Sequence, residues 1–266
     1  MSARWRPAPA LPASLLLHGV AAGAALWQPA WWPWAASAVV ANHAALVGGG
    51  LWPRSQWLGV NWARLPAGEA THQAIALTID DGPDPAVTPQ VLDVLDALGA
   101  RATFFCIGHR AQTHAALCRD IVRRGHRVEN HGFSHSHAFS VFGPSRMRDD
   151  ILAAQHMLSD ITGQAPRFFR PTAGLRNPWL DPVLHELGLT LASWTRRGFD
   201  TRTGDAATVH RRLTRGLQGG DILLLHDGHA RQTAQGTPVL NAVLPLLMAD
   251  AHRLGLRTVT LAQCLP

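Results

Sequence analysis

Lysine and tyrosine are missing from this 266-residue chain, cysteine occurs three times, and one long N-terminal stretch has no charge of either sign. The missing lysine and tyrosine look like a GC-rich coding bias rather than a physical requirement. All of the basic charge is arginine, without interleaved surface aromatics, which is a poor signature for nucleic-acid binding. The formal charge of +6 is uneven. Residues 1–66 carry Arg4, Arg6, Arg54 and Arg64 and no acid, whereas arginine barely exceeds aspartate plus glutamate in the rest. Cys106, Cys118 and Cys264 are odd in number and lack CxxC spacing, which excludes a disulfide framework or zinc–thiolate site. Cys106, inside ATFFCIG, reads as a small buried hydrophobe.

Between Arg6 and Arg54 run 47 residues without Asp, Glu, Lys or Arg. As one helix they would extend ~70 Å, about twice a hydrocarbon core. Their middle is WQPAWWPWA, where Pro29 and Pro33 break helix and four tryptophans suit a membrane–water interface. The stretch therefore predicts two spans, Leu11–Trp27 and Trp34–Leu51, with Trp5, Trp52 and Trp57 at the opposite interface. A cleaved signal peptide or a pair of soluble core helices would be the alternatives. His18 and His43 read as packed residues, not ligands. This gives a membrane-anchoring hairpin over 1–66 and a second domain over 67–266.

From about residue 72 short apolar runs alternate with amphipathic stretches. AIALTI, ATFFCIG, HRVENH, RFFRP, LTLASWT, DILLLH and RTVTL read as strands. PQVLDVLDALG, AALCRDIVRRG, MRDDILAAQHMLSDITG, WLDPVLHELG, ATVHRRLTRGL and PVLNAVLPLLMADAHRLG read as helices. Helix stops fall at Gly99, Gly125, Gly163, Gly188 and Gly255. Seven strands alternating with six helices imply a parallel α/β sheet, open or closed into a barrel.

Chemistry in such folds gathers at the C-terminal strand ends. Those ends carry Asp80 and Asp81, then His131 and His135, then Arg170, then Trp194 and Asp200, then His226. Consecutive strand positions face opposite ways, so adjacent Asp80 and Asp81 need separate surroundings. His131 and His135, spaced HxxxH, make with a strand-end aspartate a two-histidine, one-carboxylate set suited to a catalytic divalent metal. His137 could replace His135 if the loop ran differently. Asp93 and Asp96 read as solvated, and His109, His114, His126 and His156 as surface residues. Arg196 and Arg197 read equally as cleft or solvated.

TIDDGPDP, NHGFSH, FFRP and LLLHD together resemble the ordered motifs of polysaccharide deacetylases, the NodB homology domain, across about residues 72–264. The resemblance implies a distorted (β/α)7 barrel and metal-dependent hydrolysis of N-acyl groups, usually acetyl, on amino sugars. It makes Asp80 the base, Asp81, His131 and His135 the ligands of a divalent metal, usually zinc, and Arg170 the residue orienting the base. His226 matches the general acid, Asp200 its tuning carboxylate, and Leu224 the wall for the acyl methyl. RPTAG departs from the family pattern: Ala173 keeps the backbone N–H used to stabilise the oxyanion but offers no ring to grip sugar. WTRRGFD, after Trp194, lacks an aspartate common in relatives. The expected partners are an acetylated amino-sugar glycan, possibly lipid-linked, and the membrane. The competing readings are a deformylase or esterase on another acylated glycan, and an inactive carbohydrate-binding barrel. Arginines flanking both spans favour a bacterial inner-membrane protein with its barrel in the cytoplasm, although most relatives work on envelope or extracellular polymers.

Overall fold

A computed structural model of the chain describes residues 4–265; the outermost ends of the two expected domains, residues 1–3 and 266, lie outside it. Two helices lead, α1 (Ala10–Trp27) and α2 (Trp32–Leu51), folded back on each other through a tight turn at Pro29–Trp31. Polar groups clamp them together: His18 Nε2 lies 3.2 Å from His43 Nε2, and Asn42 donates to Ser14 Oγ at 2.7 Å. Large apolar side chains instead face outward, with Leu15 75% and Leu26 84% exposed. Among the described residues only α1 is long and apolar enough by length and composition to cross a membrane.

The remainder alternates strand and helix. A single turn, α3 (Glu69–His72), precedes β1 (Ala74–Asp80), followed by α4 (Thr88–Ala97), β2 (Ala102–Cys106), α5 (Gly108–Thr113) and α6 (Ala115–Arg123). Next come β3 (Arg127–Asn130), α7 (Pro144–Thr162), β4 (Phe168–Phe169), α8 (Leu180–Glu186), β5 (Thr190–Leu191) and β6 (Arg196–Arg197). The chain finishes with α9 (Ala206–Thr214), β7 (Ile222–His226), α10 (Val239–Arg253) and β8 (Arg257–Thr258). The strands pair in parallel in the order β5-β4-β3-β2-β1-β7-β6, with β8 on β1.

Where LTLASWT predicts one strand, the chain makes β5 and then β6, which stand at opposite edges of that order. Five Cα steps separate Leu191 from Arg196 and reach at most about 18 Å. The sheet must therefore curl until its edges approach, giving a parallel, barrel-like α/β fold. The seam is filled from upstream. Trp62 donates to the Leu191 carbonyl and accepts from the Ser193 N–H, while Leu65 donates to Gly220 and Arg64 pairs with Asp221 at 2.6 Å.

Alternation along β1 divides the packing. Ile75, Leu77 and Ile79 face outward onto Leu92, Leu95, Val243 and Leu247 of the covering helices. Ala74 and Ala76 face inward with Phe105, Phe168, Ile222 and Leu224. One surface expectation fails: His126 is 3% exposed, its Nδ1 accepts from the Ala102 N–H, and burial pushes its pKa down to about 4. Following the turn at Gly125, the chain re-enters the sheet one residue before β3, too early for a solvated side chain. Asp93 and Asp96 keep their exposed positions but share Arg124 as an ion-pair partner.

Candidate active site

A cleft of about 290 Å³ opens at the C-terminal ends of β1, β3 and β7. Asp80 is the last residue of β1 and lies in the inward series begun by Ala74 and Ala76. An extended chain would turn Asp81 to the outside, but its φ of 73° swings it back into the same cleft. Five described residues other than glycine have positive φ: Asp81, His135, Ala173, Phe199 and His229. Four of them line this cleft, an accumulation of backbone strain of the kind held at functional sites.

Arg170 follows β4 and is fully buried. It donates to Asp80 Oδ1 at 2.6 Å, to Thr78 Oγ1, and to the Ala192 and Ser193 carbonyls. These bonds fix Asp80 through one oxygen and leave Oδ2 toward the cleft, 3.9 Å from His131 Nε2.

His131 and His135 leave β3 on a loop, not on a helix. Asp150 of α7 accepts from the Phe133 and Ser134 N–H groups, and Asn130 accepts from Gly132, so the loop is held on both sides. His131 Nδ1 lies 2.7 Å from the Arg170 carbonyl, which can only accept; Nδ1 therefore carries a proton, and Nε2 is the nitrogen turned toward the site. His131 Nε2 and His135 Nε2 lie 3.2 and 3.0 Å from Asp81 Oδ1. Burial raises the Asp81 pKa, but hydrogen bonds from both histidines outweigh it and hold the carboxyl well below the usual range. One oxygen and two imidazole nitrogens within 4.8 Å of one another fit a divalent cation with positions left open.

Across the cleft, His226 ends β7, with Nδ1 2.9 Å from Asp200 Oδ1. Asp200 Oδ2 also accepts the His226 backbone N–H at 2.7 Å. Burial is the largest influence and works against the charged imidazole, but Asp200, with the nearby Asp80 and Asp81, outweighs it and raises the His226 pKa. Leu224, two residues earlier, and Trp194 line the same cleft, as does Ala173 in a left-handed turn with φ 56°. Every site residue expected from the sequence therefore meets at this one place.

Sequence reasoning underrated several neighbours. His229 approaches Asp81 Oδ2 at 3.4 Å through Nδ1, while Arg110 donates to the Asp81 carbonyl at 2.8 Å and lies 3.2 Å from His229 Nε2. His137 lines the cleft alongside His135 instead of replacing it. Arg197 lines it too, whereas Arg196 turns away to pair with Asp221. The second histidine in LLLHDGH was the available signal for His229; nothing in the sequence marked Arg110.

Comparison with known proteins agrees with this geometry. The family model for polysaccharide deacetylases matches residues 67–192. A peptidoglycan-N-acetylglucosamine deacetylase of Bacillus cereus is 34% identical over 184 residues, covering 68% of this chain and 85% of that protein. A chitooligosaccharide deacetylase of a Bradyrhizobium species is 34% identical over 161 residues, covering 59% and 72%. The crystal structure of the Bc1960 peptidoglycan N-acetylglucosamine deacetylase superposes with a TM-score of 0.69 at 25% identity, covering 77% of this chain and 92% of that one. With the family model, a relative 34% identical over two thirds of the chain and the shared fold all in agreement, the chain belongs to the polysaccharide deacetylase family, hydrolases of non-peptide carbon–nitrogen bonds.

Proposed function

We propose that this protein is a metal-dependent hydrolase that removes acetyl groups from the amino sugars of a glycan. The observation that carries this reading is the convergence in one cleft of the Asp80–Arg170 pair, the Asp81–His131–His135 donor set and the His226–Asp200 pair. Asp81, His131 and His135 would hold the cation, and two imidazoles with one carboxylate suit zinc. Bound there, a divalent cation polarises the acyl carbonyl and makes water acidic enough to attack near neutral pH.

The chain's own groups supply the rest. Arg170 occupies one oxygen of Asp80, so Oδ2 is the atom that takes the attacking water's proton. Asp200 occupies His226 Nδ1, so Nε2 is the nitrogen that protonates the departing amine. Leu224 and Trp194 form an apolar wall against which the acyl methyl packs. Ala173 offers its backbone N–H to the carbonyl oxygen as negative charge gathers there. The presence of base, acid and donor set together argues against an inactive binding barrel.

The peptidoglycan and chitooligosaccharide deacetylases among the relatives support N-acetylglucosamine as the sugar. The outward apolar surface of the α1–α2 hairpin supports anchoring in a bilayer. Arginines beyond both hairpin ends argue for a cytoplasmic barrel, where a glycan still attached to its lipid would be the substrate.

The test is acetate release by the purified, zinc-loaded protein from polymeric or lipid-linked N-acetylglucosamine glycans. Chelation should abolish release. Short chitooligosaccharides should release little, because Ala173 gives them no ring to stack on. His131→Ala and His135→Ala should each lose the metal, measured by elemental analysis; full retention in both would show that other residues hold it.

A further inference from the structure

We infer that Arg197 forms a subsite for an anionic oxyacid group, a phosphate ester or a carboxylate, carried by the glycan close to the acylated amine. The inference takes its location from the deacetylase reading, but its claim about charge is separate.

Arg196 and Arg197 are adjacent on β6 and differ completely in their partners. Arg196 donates to Asp221 and to the Arg215 and Gly216 carbonyls. Arg197, in register with Leu224, instead enters the cleft beside the apolar wall. Its guanidinium lies against two rings, 5.5 Å from the centre of Trp194 and 5.0 Å from that of Phe199. Among the described residues no acceptor takes a hydrogen bond from it and no carboxylate pairs with it; its Nε is buried without a partner. The rings hold the guanidinium between them but satisfy none of its five N–H groups. Leaving the buried Nε unmet is costly, and its outer N–H groups open onto the cleft.

The surroundings give independent support. Phe199, held at φ 59°, has the guanidiniums of Arg202 and Arg212 against the same ring, at 5.9 and 5.4 Å. Three like charges gather on one flank, and none of them is ion-paired among the described residues. The planar guanidinium fork matches two oxygens of a phosphate or carboxylate, which a neutral sugar lacks. This flank also meets the segment that leaves the hairpin, because Arg54 donates to the Thr195 carbonyl two residues before Arg197. A sugar phosphate delivered by a lipid carrier would arrive on this side.

The test compares the full chain with its Arg197→Gln and Arg197→Lys variants. Binding of glucosamine 1-phosphate, muramic acid and methyl glucosaminide is measured by calorimetry, and turnover of their N-acetyl forms alongside. The unsubstituted chain should bind at least one charged sugar about tenfold or more tighter than the neutral one, the gain of a charge-assisted pair. Arg197→Gln should erase that preference, and Arg197→Lys, which keeps charge without the fork, should restore only part of it. Preference for the phosphate points to a lipid carrier, and preference for muramic acid to a carboxylate-bearing glycan. Equal affinity for all three sugars, or a preference unchanged in Arg197→Gln, would overturn the subsite. Charge-dependent binding without hydrolysis of any N-acetyl form would leave the subsite standing and remove the deacetylase reading instead.

Discussion

Asp80 and Asp81 are chain neighbours, and one backbone rotation gives them different surroundings. The strand alternation behind Asp80 is visible in AIALTID, so its inward position was legible in the sequence. The positive φ that returns Asp81 to the cleft was not, because the turn forms against groups distant in the chain. His229 and Arg110 were hidden for the same reason: they reach Asp81 from the loop after β7 and from α5. The division of labour predicts a separable phenotype. Asp80→Asn should keep its metal by elemental analysis yet lose turnover by ~100-fold or more, the scale of a missing general base; near-normal activity would remove Asp80 from that role. A second outcome concerns pH. His226 must be protonated to act as the acid, and its pKa is raised chiefly by Asp200 acting against burial. Activity should therefore persist above the ordinary histidine range and fall as pH rises through the elevated value. In Asp200→Asn the alkaline limb of the kcat/KM profile should move to lower pH; an unmoved limb would mean that another group sets it.

At the scale of elements, every helix the sequence marked is present, because 3.6-residue periodicity and stop glycines are local signals. Four strands, β4, β5, β6 and β8, are two residues long and too short to show a period. The crossing between β5 and β6 depends on closure of the whole sheet, which no local pattern encodes. Residues 61–65 are the least legible part: read as the end of a membrane anchor, they pair with both sides of the barrel seam. Trp62 packs edge-on against Phe168 with ring centroids 5.0 Å apart. A chain beginning at Ser55 should therefore unfold in urea at clearly higher concentration than one beginning at residue 67. Loss of a fully buried tryptophan costs about 3–5 kcal/mol, and half-buried Trp62 should contribute part of that. Coincident unfolding curves would show that the seam contributes nothing.

At the scale of the molecule, the two-helix lead and the barrel were both readable, and the proposed cytoplasmic side rests on arginine placement alone. A reporter fused after Pro266 tests it. Green fluorescent protein should fluoresce and alkaline phosphatase should stay inactive if the barrel is cytoplasmic; strong phosphatase activity without fluorescence would put the barrel outside. The joint between hairpin and barrel is closely fitted. Arg176 donates to the Gly50 carbonyl, and a side chain at Gly50 would lie 2.1 Å from the Arg176 oxygen. Asn61 ties back to Pro53 and Ser55, and Arg54 to Thr195. Such a joint is a bracket, not a leash. A leashed catalyst would graze every sugar within its length. If the proposed anchoring holds, a bracketed one would keep the cleft at a single height and tilt, and the mount would become a ruler: a sugar at one distance from the bilayer would be processed, and its neighbours along the glycan passed over.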